Sequence, residues 1–357
     1  MTGWPARVRL AILFAASAVA GWVCERLGAP LPWMIGPLVL TAIVFMSATP
    51  RFTVPARLRP LGQIVVATQV GTAFSPAAID MLLDYAPVIV GTALATGACI
   101  FLVAVIMARL TGQGLAQAFL SAMPTSPVEA AAMATAAGIG PMPVILSQTL
   151  RLAAVVLVLP FALYAIEGWP DVQRQPVSFA LPLSGNLLFL VGIGVASAWV
   201  FRALRLSNPN FLGPMTAAAV LAASGYGPEP YPPLVLALAQ VVLGTWLGGT
   251  FRREIVSSAW RLTVTSLVSA MLTLAFCTLS AVTIAALSGL DWKTLVLGAA
   301  PGGVVEMALT ARFLEQDIVL VTTFHLIRIF IFMPNLAWIV RLIVRHEARH
   351  RQKGASP

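Results

Sequence analysis

An internal repeat with one fixed offset constrains this chain more than any other feature of its sequence. This offset is the separation along the sequence between Gly36 and Gly213, and we call it the repeat offset. Uncommon residues recur at it without a gap, in the pairs Gly36-Pro37 and Gly213-Pro214, Gln63 and Gln240, Glu129 and Glu306, and Arg151 and Arg328. An apolar bias produces chance matches of Leu, Val and Ala, but it does not produce paired Gln, Glu and Arg at one offset. We therefore predict a duplicated fold, with a first repeat over residues 1–175, a second over 182–343 and a basic tail over 344–357.

The composition places this duplicated fold in a lipid bilayer. Apolar residues make up 59% of the chain and charged residues 10%, whereas soluble domains contain about 25% charged residues. So few polar side chains cannot cover a globule in water, and we predict an all-α integral membrane protein. Three scattered cysteines and three histidines give no metal-ligand spacing, so neither a metal nor another cofactor is expected.

Each repeat contains six apolar segments, of which the fifth is interrupted. The segments lie at 8–26, 31–49, 61–79, 86–109, 114–138 and 143–166, and at 184–203, 208–225, 233–251, 263–287, 291–315 and 318–343. Pro124-Thr125-Ser126-Pro127 interrupts the first copy of the fifth segment, and Pro301-Gly302-Gly303 interrupts the second. Proline and glycine end helices, so each fifth segment is predicted to span as a broken helix or to enter and turn back.

The basic residues favour an arrangement with about five spans in each repeat. With the fifth segment turning back, sixteen basic residues lie on the cytoplasmic side and four outside, against thirteen and seven if all six segments span. An odd number of spans makes the two repeats inverted, as in secondary transporters, and leaves both termini cytoplasmic. The basic tail is predicted to anchor this topology at the lipid surface, with direct DNA binding as the alternative.

The interrupted segments mark the candidate site, because non-helical backbone at membrane depth is tolerated only inside protein or beside a water-filled cavity. The candidate residues there are Thr125, Ser126 and Glu129 in the first repeat and Gly302, Gly303 and Glu306 in the second. An acid within the membrane is costly unless it is paired, hydrated or protonated. We predict proton coupling or solute coordination by Glu129 and Glu306, with helix capping or pairing with Arg as the alternative.

The sixth segments add a second group of polar candidates. Arg151 and Arg328 follow the acid of their repeat at the same spacing, and they fit either a structural Glu–Arg pair or an anion clamp. Gln148 and His325 precede these arginines by one helical turn. His325 could therefore sense protons, or it could simply be a hydrogen-bonded buried histidine.

Gln63 and Gln240 occupy matched positions in the third segments, each followed by Thr and Gly on the same segment. Amide side chains bridge helices within membranes, and glycines permit close helix packing. Packing is the role predicted for Gln63 and Gln240, with ligand contact as the alternative.

Three stretches of the chain resemble the duplicated AbrB-type bacterial membrane proteins, and the resemblance covers nearly the whole chain. They are Pro32-Trp33-Met34-Ile35-Gly36-Pro37, Gly244-Thr245-Trp246-Leu247-Gly248, and Ala300-Pro301-Gly302-Gly303-Val304-Val305-Glu306-Met307. The resemblance implies a multi-pass protein of the bacterial inner membrane. Its members carry the labels regulator of gene expression and ammonia monooxygenase, and they differ from the small soluble DNA-binding proteins of the same name. The first repeat has Pro124-Thr125-Ser126-Pro127 in place of Pro-Gly-Gly, so the two half-sites are expected to differ.

Three functions follow as hypotheses. The duplication, the broken segments and the membrane acids favour a secondary-transporter-like carrier of a small solute or ion, with proton coupling as an option. The family label suggests a membrane regulator that senses a solute and acts on gene expression indirectly, without contacting nucleic acid. A monooxygenase would need a copper or iron site, and His325 is the only histidine outside the tail, so no enzyme is expected. The lipid bilayer and a small solute are the expected partners, and a homo-oligomer is an open option.

Overall fold

The computed structural model describes residues 5–47, 52–167, 177, 185–206, 208–253 and 259–354. Within these ranges the regular secondary structure is helical. The connection expected near 170–182 lies, apart from Val177, outside the described residues.

Fifteen α-helices are described, and a 3₁₀ turn at Ala56–Leu58 precedes the third of them. In the first half of the chain they are α1 (Ala6–Arg26), α2 (Pro32–Ser47), α3 (Arg59–Gly71), α4 (Pro76–Asp84), α5 (Ala86–Thr111), α6 (Leu115–Ala122), α7 (Pro127–Ala136) and α8 (Pro141–Glu167). In the second half they are α9 (Gly185–Ala203), α10 (Pro209–Ala223), α11 (Pro233–Gly248), α12 (Trp260–Ser288), α13 (Trp292–Ala299), α14 (Val304–Phe313) and α15 (Ile318–Gly354).

Proline and glycine set many of these helix ends. Proline is the first residue of helices such as α7 and α11, where its missing N–H costs no hydrogen bond. Gly112 and Gly289, which the repeat offset relates, end α5 and α12 with φ of 71° and 72°. Only glycine adopts this left-handed conformation without strain, so both helices stop at the same place in their segment.

Six helices among the described residues are long and apolar enough to cross a membrane, namely α1, α5, α8, α9, α12 and α15. They indicate a membrane protein. The expectation of one continuous segment over 61–79 needs correction, because α3 ends at Gly71 and α4 turns away from it by 85°. Ser75 caps α4 by accepting a hydrogen bond from the Ala78 N–H at 3.2 Å, which fixes the turn.

The described helices form two compact units, each drawn from both halves of the sequence. The first unit comprises 1–84, 159–258 and 308–319, and the second comprises 85–158, 259–307 and 320–357. In the first unit α1 packs on α2, α9 on α10, α3 on α10 and α11 on α2. A Cβ at Gly36 would lie 2.5 Å from the Ala20 carbonyl oxygen, and one at Gly213 would lie 2.6 Å from that of Ser197. Glycine therefore permits the matching pairs α1–α2 and α9–α10 to approach to backbone contact.

The second unit packs α5 on α12 and holds the short helices α6 and α13 against them. Its buried apolar cluster includes Ile100, Phe119, Leu120 and Leu336. A hydrogen bond of 2.6 Å between the buried Ser147 and Ser266 hydroxyls joins α8 to α12. This unit contains both interruptions of the fifth segments.

The last helix continues well beyond the apolar segment expected to end at 343. α15 runs without a break to Gly354, so the start of the basic tail is helical. The Glu347 carboxylate accepts a hydrogen bond from the Leu115 N–H at the first residue of α6. Glu347 therefore caps the N-terminus of α6 and fixes this part of the tail to the second unit.

Candidate functional site at the two helix breaks

Both fifth segments are broken into two short helices, as their prolines and glycines predict. α6 ends at Ala122 and α7 begins at Pro127, while α13 ends at Ala299 and α14 begins at Val304. The two breaks, residues 123–126 and 300–303, are again related by the repeat offset. Each break leaves a helix C-terminus and a helix N-terminus whose backbone groups need partners.

The two acids occupy the third position of the helices that follow the breaks. At the first break the Ser126 hydroxyl accepts a hydrogen bond from the Glu129 N–H at 3.2 Å, and Ser-x-x-Glu is the pattern of a capping box. At the second break Glu306 is 7% exposed, and its carboxylate lies over Gly303, so that a Cβ there would overlap it. A carboxylate at this position also stabilises the positive end of a helix, by about 0.3–1 kcal/mol.

The polar residues of the sixth segments supply hydrogen-bond donors that Pro124 and Pro301 lack. Each proline lies four residues after a helical carbonyl, Leu120 or Leu297, and lacks the N–H that would normally bond it. Those carbonyls are buried and need another donor.

At the first break Gln148 and Arg151 supply the missing donors. Gln148 Nε2 donates to the carbonyl oxygens of Leu120 at 2.6 Å and Met123 at 2.8 Å. Arg151 Nη1 donates to the carbonyls of Ser121, Ala122 and Met123 at 3.0–3.3 Å. Arg151 Nη2 also donates to Gln148 Oε1 at 2.7 Å, which holds the pair together.

At the second break His325 and Arg328 repeat this arrangement. His325 Nε2 is 3.0 Å from the Leu297 carbonyl oxygen, and its Nδ1 is 2.8 Å from Arg328 Nη2. Arg328 donates to the carbonyls of Ala300 at 2.8 Å and Gly302 at 3.2 Å.

These contacts give His325 a hydrogen-bonding role. A neutral imidazole that carries its proton on Nε2 satisfies both contacts, with Nδ1 accepting from the guanidinium. The imidazole therefore does what the Gln148 amide does at the equivalent position. The hydrogen bonds of Arg151 and Arg328 go to the helix carbonyls and to Gln148 or His325, so neither a Glu partner nor a bound anion is needed to place the two guanidiniums.

Arg151 also joins the two breaks. Its Nε donates to the Pro301 carbonyl oxygen at 3.0 Å while its Nη1 donates to the Met123 carbonyl oxygen at 3.1 Å. One guanidinium is only a few ångströms wide, so the broken segments of the two sequence halves lie side by side. Arg151 is 2% exposed and Arg328 is 3% exposed.

Two of the buried polar atoms that lack a hydrogen-bond partner belong to residues of this site. Arg328 Nε and Thr125 Oγ1 are both buried without a hydrogen-bond partner. Buried polar groups without partners are rare and costly, so they mark a place where something else binds or where the fold is strained.

Gln63 and Gln240 belong to the first unit, on α3 and α11, whereas the other predicted site residues belong to the second. Gln63 is buried and Gln240 is half-buried. α3 and α11 pack closely, since a Cβ at Gly62 would lie 2.8 Å from the Ala239 carbonyl oxygen.

Sequence reasoning missed the carbonyl groups as part of the site, together with the Glu347 cap. The signal for the carbonyls was present, because Pro124 and Pro301 remove a donor and Gln148 and His325 follow them at one common spacing. No signal in the sequence linked Glu347 to α6. Within the described ranges, no three His, Cys, Asp or Glu side chains come together as a metal-holding group.

The apolar helices and the paired breaks define a helical membrane protein whose polar centre lies at interrupted segments. The chain belongs to the family described as "Transition state regulatory protein AbrB", whose sequence model matches residues 1–167 and 54–344. It is similar to "Uncharacterized protein YhjN" of Bacillus subtilis, with 25% identity over 381 aligned residues that cover 96% of this chain and 95% of the relative. It is also similar to "Putative regulator AbrB" of Escherichia coli, with 28% identity over 173 residues, which cover 48% and 50% of the two chains. The family resemblance is thus confirmed.

Proposed function

We propose that this protein is a carrier of a small solute in the bacterial inner membrane. It is built as two inverted repeats of about five spans each plus a broken segment, with both termini in the cytoplasm. The solute binds between the two breaks, where backbone dipoles and two buried arginines provide polar groups at membrane depth. The bilayer and the solute are its partners.

The observation that carries this proposal is the position of Arg151. Its guanidinium bonds the first break at Met123 and the second break at Pro301, so the interrupted segments meet. Paired interrupted helices that meet in the lipid interior are the arrangement by which secondary transporters hold their substrates. The matching helix ends and matching hydrogen bonds at the repeat offset support the repeat.

In this proposal Glu129 and Glu306 couple solute movement to protons. Both lie one helical turn after a break, where a carboxylate can gain or lose a proton as the site opens to either side. Capping of α7 and α14 is their structural role, and coupling is added to it.

Uptake into proteoliposomes tests the proposal. We expect a panel of radiolabelled metabolites to include at least one solute whose uptake responds to a pH gradient in the wild-type protein. Glu306→Gln should keep the helix cap but lose the response to the gradient, because the amide does not titrate. Equal coupling in Glu306→Gln and the wild type would remove the coupling role from this acid.

A glycine substitution tests the breaks themselves. Gly303→Ala places a Cβ against the Glu306 carboxylate and should slow uptake strongly. Gly91→Ala is the matched control, because its Cβ would meet no atom within 4 Å. Full activity of Gly303→Ala would contradict a solute site at the second break.

Indirect regulation is the second candidate, favoured by the name of the Escherichia coli relative. In that case solute binding changes gene expression through another protein, without direct contact with nucleic acid. Deleting residues 349–357 removes most of the basic tail and keeps the Glu347 cap on α6. A transcriptional response that survives this deletion excludes the removed segment as the effector, whereas a lost response with intact uptake assigns it that role.

A further inference from the structure

Two of the three cysteines come together in the second unit, although they lie far apart in the sequence. Cys99 is near the middle of α5, and Cys277 is near the middle of α12. Both are free thiols, and so is Cys24 on α1. The side chains of Cys99 and Cys277 are hydrogen-bonded to each other, so the two sulfur atoms are neighbours where the helices pack.

A backbone contact independently places the Cys99 thiol beside Cys277. Cys99 Sγ donates to the carbonyl oxygen of Phe276 at 3.6 Å, and Phe276 immediately precedes Cys277. The side chain of Ser280, four residues after Phe276 and therefore on the same face of α12, also hydrogen-bonds the Cys99 thiol. The Cys99 side chain thus lies over the turn of α12 that contains Cys277.

Small residues favour a close approach of the two helices at this point. Ala270, Thr273 and Ala281 are buried on α12 together with Cys277, and Thr96 is buried on α5 one turn before Cys99. Small side chains let the backbones of membrane helices pack closely. A disulfide needs the Cα atoms of its two cysteines to be about 4.4–6.8 Å apart, so close backbones are the first condition for forming one.

The two thiols differ in accessibility. Cys99 is partly exposed, whereas Cys277 is 0% exposed. A reagent therefore reaches Cys99 first, and Cys277 is placed to react with the modified Cys99 rather than with the reagent. Both helices are long and apolar enough to span a membrane, so a reagent that reaches the middle of α5 must dissolve in lipid.

We propose that Cys99 and Cys277 are an oxidative modification site that closes to an intramolecular disulfide when a lipid-soluble hydroperoxide reaches it. The Cys99 sulfur attacks the O–O bond and becomes a sulfenic acid, while the rest of the hydroperoxide leaves as an alcohol with the Cys99 proton. The Cys277 sulfur then attacks the Cys99 sulfur and forms the S–S bond, and the sulfenic hydroxyl leaves as water with the Cys277 proton. Two thiols lose two electrons, and one hydroperoxide gains them.

The bridge ties together the two long helices that hold the short helices of the site. α5 packs on α6, and α12 packs on α13, and these short helices precede the two breaks. The inference does not depend on the proposed carrier function, because it concerns thiol chemistry alone.

Counting free thiols tests this site. The purified full-length protein is treated with cumene hydroperoxide, denatured in the presence of a maleimide-linked polymer, and run on a gel that resolves each added polymer. The reduced wild type should take up three polymers, and the oxidised wild type should take up one, on Cys24. Dithiothreitol should restore all three, and mass spectrometry should find the Cys99 peptide joined to that of Cys277.

Three variants separate the roles of the cysteines. Cys24→Ser is the matched control and should still lose two thiols on oxidation. Cys99→Ser should keep both remaining thiols, because the oxidant does not reach the buried Cys277. Cys277→Ser should leave a sulfenic acid on Cys99 that dimedone traps, whereas the wild type should give little of this adduct.

Three results would overturn the proposed site. They are an oxidised wild type that keeps all three thiols, a loss of thiols that dithiothreitol does not reverse, and a loss in Cys99→Ser equal to that in the wild type. A linked peptide that contains Cys24 instead of Cys99 or Cys277 would assign the bridge elsewhere and contradict the pairing.

Discussion

Replacing His325 by glutamine should leave the protein nearly as stable as before, because the repeat offset relates His325 to Gln148. Gln148 makes both contacts that His325 makes, one to a carbonyl that has lost its helical donor and one to the neighbouring arginine. His325→Gln can form the same two hydrogen bonds, and we expect it to cost less than about 1.5 kcal/mol. His325→Ala leaves the Leu297 carbonyl and one Arg328 N–H unpaired at a fully buried site. At about 1–3 kcal/mol for each unsatisfied group, it should cost about 2–6 kcal/mol.

Unfolding of the two purified variants in mixed detergent micelles, followed by tryptophan fluorescence, measures this difference. Gln148→His is the reciprocal control and should be tolerated for the same reason. The pH dependence of stability should be unchanged in His325→Gln, because the imidazole serves as a neutral hydrogen-bonding group. If His325→Gln were as destabilised as His325→Ala, or if it lost a pH response present in the wild type, the equivalence of His325 and Gln148 would be refuted.

Three further predictions concern packing and helix ends. Gly36→Ala and Gly213→Ala should each destabilise the protein by about 1–3 kcal/mol through overpacking against a backbone carbonyl, whereas Gly91→Ala, which meets nothing within 4 Å, should not, as denaturation curves of the three will show. Ser126→Ala removes the N-cap of α7 and should cost about 1 kcal/mol, measurable by the same curves, and a neutral effect would contradict the cap. Glu347→Ala removes the acceptor of the Leu115 N–H and should leave α6 more open to hydrogen exchange at its first turn, and unchanged protection there would contradict the contact between α15 and α6.

The breaks in the fifth segments could be predicted from the sequence because proline and glycine act locally. Pro124 and Pro301 each remove one helical hydrogen bond, and the turn-forming residues that follow them, Thr125-Ser126-Pro127 and Gly302-Gly303, complete the interruption. A single proline does not suffice, because Pro160 and Pro334 lie inside continuous helices. Glycine at the end of α5 and α12 acts in the same local way.

The partners of the arginines could not be predicted, since they are backbone atoms brought close by packing. A buried arginine that follows an acid at the same spacing in both halves of the sequence suggests an ion pair, but the Arg151 guanidinium bonds carbonyls on α6 and at the second break. The spacing along the sequence does not carry this information. The two compact units pose the same difficulty, because each gathers helices from both halves of the sequence.

The turn between α3 and α4 was missed for a different reason. Apolar residues continue through 61–79, so hydropathy indicates one segment, but Ser75-Pro76 starts a new helix with its own cap. The helix start at Ser75-Pro76 is a local capping signal, and hydropathy averaged over a window of residues does not reveal such a signal.

Labelling of a matched pair of cysteines tests the inverted repeat most directly. Thr111 and Ser288 end α5 and α12, are related by the repeat offset and are both at least partly exposed. Thr111→Cys and Ser288→Cys would each be made in a protein whose Cys24, Cys99 and Cys277 are replaced by serine, and treated in intact cells with a membrane-impermeant maleimide. The inverted repeat predicts that Ser288→Cys is labelled from outside and that Thr111→Cys is labelled only after the cells are opened. Labelling of both from the same side would contradict it.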